Sequence, residues 1–137
     1  MKKQLLALVG LGLMLATISA YAQTGVKANI PFNFVVDKAT LPAGEYIVQS
    51  VSTSGRAMSI HSADRKFTRL LLPLPCSSGK AAEKTKMVFH RYGNQYCLAQ
   101  IWTAGNEIGS ELPRSYREKE VAMDYTPQNV VVVATLR

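Results

Sequence analysis

The chain has 137 residues, and 16 lysines and arginines against 9 aspartates and glutamates give it a formal net charge of +7 at pH 7. The basic residues are scattered, and they form no dense stripe with interleaved aromatic residues, which argues against a nucleic-acid-binding protein. The composition instead favours a soluble basic surface with some affinity for anionic polymers.

The N-terminus has the pattern of a secretory signal peptide. Lys2 and Lys3 precede an apolar run, Leu5–Ile18, and Ala20-Tyr21-Ala22 matches an Ala-x-Ala cleavage site. The apolar run is shorter than the roughly 20 residues that a membrane-spanning helix needs. We therefore predict a cleaved signal peptide over residues 1–22 and a single β-rich domain over residues 23–137. The protein would be periplasmic or secreted, with no transmembrane segment after cleavage.

The first half of the exported chain predicts short strands joined by turns. From Val26 to Val36 apolar and polar residues alternate, which is the period of a half-buried strand. Pro31 indicates that this strand is an edge or is bent there, and Pro42 and Gly44 predict a turn. Further strands are predicted at Glu45–Val51, Ala57–His61 and Lys66–Leu74.

The second half predicts a hairpin, one helix and a last strand. Ser115-x-x-Glu118 matches a capping box and predicts a short helix near Arg114–Met123. The other predicted elements are an exposed loop at Cys76–Lys86, a hairpin of Met87–Tyr92 with Tyr96–Thr103, and a buried strand over Val130–Leu136.

Together these elements predict a mainly β fold of about seven strands, with one short helix before the last strand. Such a chain would form a small antiparallel barrel or a sandwich. We favour the barrel, because pairing of the last strand with the first would remove both sheet edges.

The stretch FHRYGNQYCLAQIW, residues 89–102, concentrates side chains that could carry chemistry. A two-residue turn at Gly93-Asn94 would place His90 opposite Cys97, as a thiolate–imidazole pair requires. A three-residue turn would place Arg91 opposite Cys97 and remove the pair. We expect no catalysis here, because histidine opposite cysteine in a strand pair is usually accidental.

The cysteines and histidines favour structural roles over a metal site. Two cysteines in an oxidising compartment predict a disulfide between Cys76 and Cys97, and two free thiols are the alternative. His61 and His90 do not combine with these cysteines in the spacing of a structural zinc site. We predict no metal and no cofactor.

No catalytic signature is evident. A serine-hydrolase elbow and a phosphate-binding glycine loop are both absent from the exported chain. A hydrolase would need two facing carboxylates, and the sequence cannot pair any two of Glu45, Asp64, Glu107 and Glu111. Enzymatic activity is therefore undecided, and a non-enzymatic role is favoured.

The aromatic residues are typical of a core and its rim, and the alternative is a ligand pocket at the mouth of a barrel. In such a pocket Trp102 and a tyrosine would form stacking platforms and Arg91 would be a charged anchor. The candidate ligand-binding residues are His90, Arg91, Tyr92, Tyr96 and Trp102.

Two stretches, VKANIPFNFVVDKATLPAGEYIV and FHRYGNQYCLAQIWTAGNEIGSELPRSYREKE, resemble a group of short exported bacterial proteins that are frequent in acidobacterial genomes. The resemblance implies export and a shared β-rich domain. It supplies no activity, cofactor or catalytic residue. In that group the position of Cys97 is often aromatic, so the resemblance argues against a functional disulfide or thiolate pair.

Three functions follow from these observations. We favour an exported non-enzymatic β-domain that binds an envelope polymer, a protein partner or a small ligand. The alternatives are a small secreted hydrolase that uses carboxylates and a purely structural or stress-related envelope protein.

Overall fold

The computed structural model describes residues 25–51 and 57–136, so the predicted signal peptide lies outside the described residues. The described part of the chain forms twelve strands in two sheets and one helix. The elements are β1 (Gly25–Ile30), β2 (Phe34–Val36), β3 (Ala39–Leu41), β4 (Gly44–Ser50), β5 (Met58–Ser62), β6 (Thr68–Leu71), β7 (Leu74–Ser77), β8 (Lys86–Tyr92), β9 (Gln95–Trp102), β10 (Ile108–Glu111), α1 (Tyr116–Asp124), β11 (Gln128–Val133) and β12 (Thr135–Leu136).

The first sheet has the strand order β12-β1-β4-β5-β6, and all its pairings are antiparallel. The second sheet has the order β11-β8-β9-β10-β7. Its remaining strands are β2, which lies parallel to β9 with Val35 opposite Cys97, and β3, which pairs with β2. β10 pairs with the opposite end of β9, at Gln100 and Ile101.

The mainly β class and the short helix before the last strands are confirmed, whereas the favoured barrel and the count of about seven strands are wrong. The last strand does pair with the first, since Leu136 of β12 lies opposite Val26 of β1. The predicted strand Val130–Leu136 is nevertheless interrupted at Ala134, so β11 belongs to the second sheet and β12 to the first. β6 is an edge strand of the first sheet and β7 is an edge strand of the second. The described strands therefore do not close into a barrel.

Proline explains why two predicted strands are each divided between the sheets. Pro31 has no N–H for a ladder, and the strand predicted over Val26–Val36 ends at Ile30 and resumes as β2 in the second sheet. In the same way, the strand predicted over Lys66–Leu74 is divided at Leu72-Pro73 into β6 and β7. The predicted loop at Cys76–Lys86 therefore begins later, because β7 extends to Ser77.

The two sheets share one core. Phe34 of the second sheet packs edge-to-face against Tyr46 of the first sheet and against Phe89 of its own sheet, with ring centroids 5.0 and 5.6 Å apart. The hydroxyl of the buried Tyr46 donates to the Pro42 carbonyl at 2.7 Å, which satisfies the one polar group of this cluster. Burial of these large side chains between the sheets is the main source of the domain's stability.

Candidate functional site

The β8–β9 hairpin has the register that pairs His90 with Cys97. The turn consists of Gly93 and Asn94, and the φ angle of 62° at Gly93 is the left-handed conformation that such a turn requires of its first residue. Because side chains alternate between the faces of a strand, this register divides the candidate residues between two faces of the second sheet. One face lies on the shared core, and the other, the outer face, is turned away from the first sheet.

Arg91 and Tyr96 lie at the end of the core face. The Tyr96 ring stacks on Phe32 with centroids 3.8 Å apart, and the Arg91 guanidinium lies 5.5 Å from the Tyr96 centroid. Arg91 Nε also donates to the Gly93 carbonyl at 2.8 Å. Arg91 and Tyr96 thus cover one end of the shared core. They lie on the opposite face of the sheet from Trp102.

His90 and Tyr92 lie on the outer face beneath helix α1, where both contact Glu118. The Tyr92 hydroxyl donates to Glu118 Oε1 at 2.9 Å, and His90 Nδ1 lies 3.2 Å from the same oxygen. An ionised carboxylate only accepts, so the His90 contact is a hydrogen bond in the forms of the imidazole that carry a proton on Nδ1. Glu118 is only 6% exposed, so a charged group is held at the interface between helix and sheet by two hydrogen bonds.

The helix begins as the capping box predicts, but its glutamate has a further role. Ser115 is the N-cap, and its side chain accepts from the Glu118 backbone N–H at 3.2 Å. The Glu118 carboxylate contacts the sheet, and Val121 and Ala122 add the apolar contacts with it. The sequence identifies Glu118 as part of a cap, and nothing in the local pattern indicates its partners in β8.

Burial keeps Cys97 a thiol. Desolvation, followed by the nearby negative charge of Glu118, raises the pKa of Cys97 to about 12. Burial first, and then the hydrogen bond to Glu118, raises the pKa of Tyr92 to about 12. The His90 imidazole is engaged by Glu118, so the paired register does not create the thiolate that nucleophilic catalysis needs.

The structure does not bring Cys76 and Cys97 together, and both are free thiols. Cys76 lies opposite Gly109 in the β7–β10 pair, and β10 separates β7 from β9. A disulfide needs Cα atoms within about 7 Å, which strands separated by a third strand do not allow. The predicted disulfide is therefore not formed in this structure.

A groove of about 370 Å³ lies beside the His90–Glu118 contact. Its lining includes two acidic residues, Glu111 and Glu118, and two basic residues, Arg114 and Lys119. Glu111, a carboxylate named from the sequence, thus lines the same groove as Glu118.

A larger groove of about 620 Å³, the Trp102 groove, occupies the other end of the outer face. Four of its apolar residues come from three adjacent strands: Val88, Trp102, Val131 and Val133. Trp102 is 6% exposed and its indole N–H donates to Gln100 Oε1 at 3.0 Å. A Cβ added at Gly109 would lie 2.6 Å from the indole, so only glycine lets β10 approach the ring this closely.

The rim of the Trp102 groove is basic. Lys80 and Lys84 come from the segment between β7 and β8, and Lys86 begins β8, whereas Glu83 is the one acidic residue among the lining residues. The groove thus combines an apolar floor with three cations. The sequence named Trp102 as a candidate, but it did not indicate that these lysines lie beside it.

Two of the other carboxylates named from the sequence, Glu45 and Asp64, are engaged in local contacts. Glu45 and Asp64 line a smaller cleft of about 200 Å³. Glu45 forms an ion pair with Lys27 at 2.7 Å. Asp64 accepts from the Ser62 hydroxyl at 2.6 Å and from the Lys66 backbone N–H, and these bonds lower its pKa. Both carboxylates of this cleft therefore already have partners, Lys27 for Glu45 and Ser62 and Lys66 for Asp64.

Residues 25–51 and 57–136 contain no group of three or more His, Cys, Asp or Glu side chains that could hold a metal ion. In the same ranges no helix is both long enough and apolar enough to cross a membrane. Comparison of the chain with protein-family models, with curated proteins and with solved structures found no match.

Proposed function

We propose that this protein is an exported, non-enzymatic β-domain that binds an anionic polysaccharide of the cell envelope in the Trp102 groove. The observation that carries the proposal is the combination of Trp102 and three valines on the floor with Lys80, Lys84 and Lys86 at the rim. The signal-peptide pattern at residues 1–22 supports a location where such polymers occur.

The groove suits a chain of acidic sugars in both size and chemistry. Its volume of about 620 Å³ is within the range typical of ligand pockets. The apolar faces of sugar rings can be buried against aliphatic and aromatic side chains, and ammonium groups pair with carboxylate or phosphate groups. Removal of Lys2 and Lys3 with the signal peptide lowers the net charge from +7 to about +5, and this charge would also attract a polyanion over distances that depend on the salt concentration.

Trp102 is the single tryptophan of the chain, so its fluorescence reports on the groove directly. We expect saturable changes in its emission on titration with polygalacturonate, a polymer of acidic sugars, and no change with the neutral polymer dextran. The change should weaken markedly between about 0.02 M and about 0.5 M NaCl, because salt screens exposed charges. An equal response to both polymers, or no response to either, would contradict the proposal.

Charge reversal at the rim separates a specific groove from a general basic surface. The double variant Lys80→Glu/Lys84→Glu should weaken polygalacturonate binding by about tenfold or more. The matched control Lys38→Glu/Lys66→Glu makes the same charge change at exposed lysines outside the groove residues. Equal weakening in both double variants would indicate binding by net charge alone.

A second candidate function is a hydrolase, and the groove beside helix α1 favours it. Glu111 and Glu118 line that groove together with His90, which supplies the two carboxylates that such chemistry needs. Incubation with p-nitrophenyl glycosides and esters tests this candidate. We expect no product release, and activity that is lost in Glu111→Gln would support the hydrolase instead.

A further inference from the structure

The segment between β7 and β8, residues 78–85, carries two of the three cations of the Trp102 groove. In the second sheet β7 and β8 lie on opposite sides of the β9–β10 pair. This segment, the strap, therefore passes the adjoining ends of β9 and β10 before it reaches β8. Lys80 and Lys84 are exposed along it and line the groove. The position of the strap thus determines where these two cations lie.

Backbone hydrogen bonds fasten the strap to the turn between β9 and β10, residues 103–107. The Ala82 N–H donates to the Asn106 carbonyl at 2.9 Å, and the Gly105 N–H donates to the Ala82 carbonyl, also at 2.9 Å. The strap lies wholly within the described residues and contains neither a strand nor a helix. A few bonds of this kind, rather than a regular ladder, therefore fix its position.

Thr85 is the buried end of the strap and has two further anchors. It is 6% exposed, and its Oγ1 accepts from the Ala104 N–H of the β9–β10 turn at 3.1 Å. Its carbonyl accepts from the N–H of Ala134, the residue between β11 and β12, at 2.8 Å. Thr85 also lies between Lys84 and Lys86 in the chain, so its position constrains both cations.

A rim that is fixed before binding favours affinity. Loops and long side chains that become ordered only on binding lose conformational entropy, and this loss weakens the complex. We infer that Thr85 is the positioning residue of the Trp102 groove: its hydroxyl holds the strap on the β9–β10 turn and keeps Lys80 and Lys84 in place for the anionic groups of the polysaccharide. Thr85 is not itself among the residues that line the groove. The inference rests on the proposed function and adds a residue that acts on affinity through its neighbours.

Two substitutions separate the hydroxyl of Thr85 from the bulk of its side chain. Thr85→Val keeps the branched shape and removes the acceptor of the Ala104 N–H, whereas Thr85→Ser keeps the acceptor. In titrations with polygalacturonate followed by Trp102 fluorescence, Thr85→Val should bind about fivefold more weakly, because two lysine side chains then have to be ordered on binding. Thr85→Ser should bind as the unchanged protein does. So should the matched control Thr103→Val, which removes a hydroxyl from the β9–β10 turn, outside the strap.

Limited trypsin digestion reports on the strap independently of any ligand. A protease cuts where the backbone opens locally, and trypsin would cut the strap after Lys80 or Lys84. Thr85→Val should be cut there faster than the unchanged protein, whereas Thr85→Ser and Thr103→Val should not, and mass spectrometry of the fragments locates the cuts. Polygalacturonate should slow the same cuts in the unchanged protein, because it covers the two lysines.

Ala82→Pro replaces Thr85→Val if the latter does not unfold cooperatively in urea. It removes the N–H that donates to Asn106, so it should likewise weaken binding and speed cleavage. An unchanged affinity of Thr85→Val for polygalacturonate would overturn the inference, whatever its rate of cleavage, and so would equal weakening in Thr85→Val and Thr85→Ser. Absence of any binding by the unchanged protein would instead contradict the proposed function on which the inference rests.

Discussion

At the scale of single residues, Glu118 determines how helix α1 is attached to the second sheet. Its carboxylate accepts from Tyr92 and contacts His90, while the helix contributes few apolar contacts. Glu118→Ala leaves the buried Tyr92 hydroxyl without its partner and should lower the free energy of unfolding by about 2–3 kcal/mol. Urea unfolding measures this loss.

The matched control for this variant is Glu120→Ala, two residues further along the same helix and exposed. It should change the free energy of unfolding by less than about 0.5 kcal/mol. Equal effects of the two substitutions would mean that helix propensity, and not the buried contact, is responsible.

The two thiols should differ in reactivity. The raised pKa of Cys97, about 12 against an ordinary value of 9.0, leaves almost no thiolate at pH 8. At this pH we expect Ellman's reagent to modify the partly exposed Cys76 and to leave Cys97 unmodified in the folded protein. Cys76→Ser should show no fast reaction, and urea should expose one thiol in that variant. Rapid modification of folded Cys76→Ser would contradict the burial of Cys97.

The raised pKa of Cys97 also makes the stability of the folded protein depend on pH in the alkaline range. The pKa of Cys97 is higher in the folded state than in the unfolded state, so folding favours the protonated thiol. This contribution is complete below pH 9.0 and is lost as the pH rises towards about 12. Tyr92, whose pKa is raised from 10.0 to about 12, acts in the same direction over the upper part of this range.

The residue scale also shows what the sequence could not predict. The capping box identified Ser115 and Glu118 because their relation is local. The contacts of Glu118 with His90 and Tyr92 span 28 and 26 positions, and only the tertiary fold creates them. For the same reason Trp102 could be named as a candidate, while its lysine neighbours could not.

At the scale of elements, the turn residues predicted the strand pairing better than the β-forming runs predicted where each strand begins and ends. The length of a hairpin turn determines which residues of the two strands face each other. A two-residue turn at Gly93-Asn94 was one of the two predicted alternatives, and it gives the register that the structure has. Pro31 signalled a bend or an edge, but a proline does not indicate which sheet the following residues join. The sequence therefore predicted the strand-forming segments better than their division into strands.

The approach of β10 to β9 depends on Gly109. A Cβ there would lie 2.6 Å from the Trp102 ring, closer than atoms can pack, and 3.0 Å from the Ile101 carbonyl oxygen, which is a tight contact. Gly109→Ala should therefore displace the indole and lower the free energy of unfolding by about 1–3 kcal/mol. A shift in Trp102 emission together with a lower urea midpoint would confirm this contact.

The control for Gly109→Ala is Ser110→Ala, in the same strand, which leaves the space beside the indole unchanged. It should not shift Trp102 emission. An unshifted spectrum in Gly109→Ala would mean that the strands do not approach as closely as the structure indicates.

At the scale of the whole molecule, the two sheets are parts of one cooperative unit. The chain crosses between them four times, after β1, β3, β6 and β11, and each crossing takes three residues or fewer. The core cluster contains residues of both sheets, including Ile30 and Tyr46 from the first and Phe34 and Phe89 from the second. Neither sheet can bury its apolar face without the other, so partial unfolding would expose the core of both.

We therefore expect one unfolding transition for the whole domain. Trp102 fluorescence reports on the second sheet, whereas far-ultraviolet circular dichroism reports on the strands of both sheets. The urea midpoints from the two probes should coincide within experimental error, as two-state unfolding requires. Met58→Ala, at a partly buried core contact of the first sheet, should lower both midpoints together. A lower dichroism midpoint with an unchanged Trp102 midpoint would show that the second sheet can remain folded without the first.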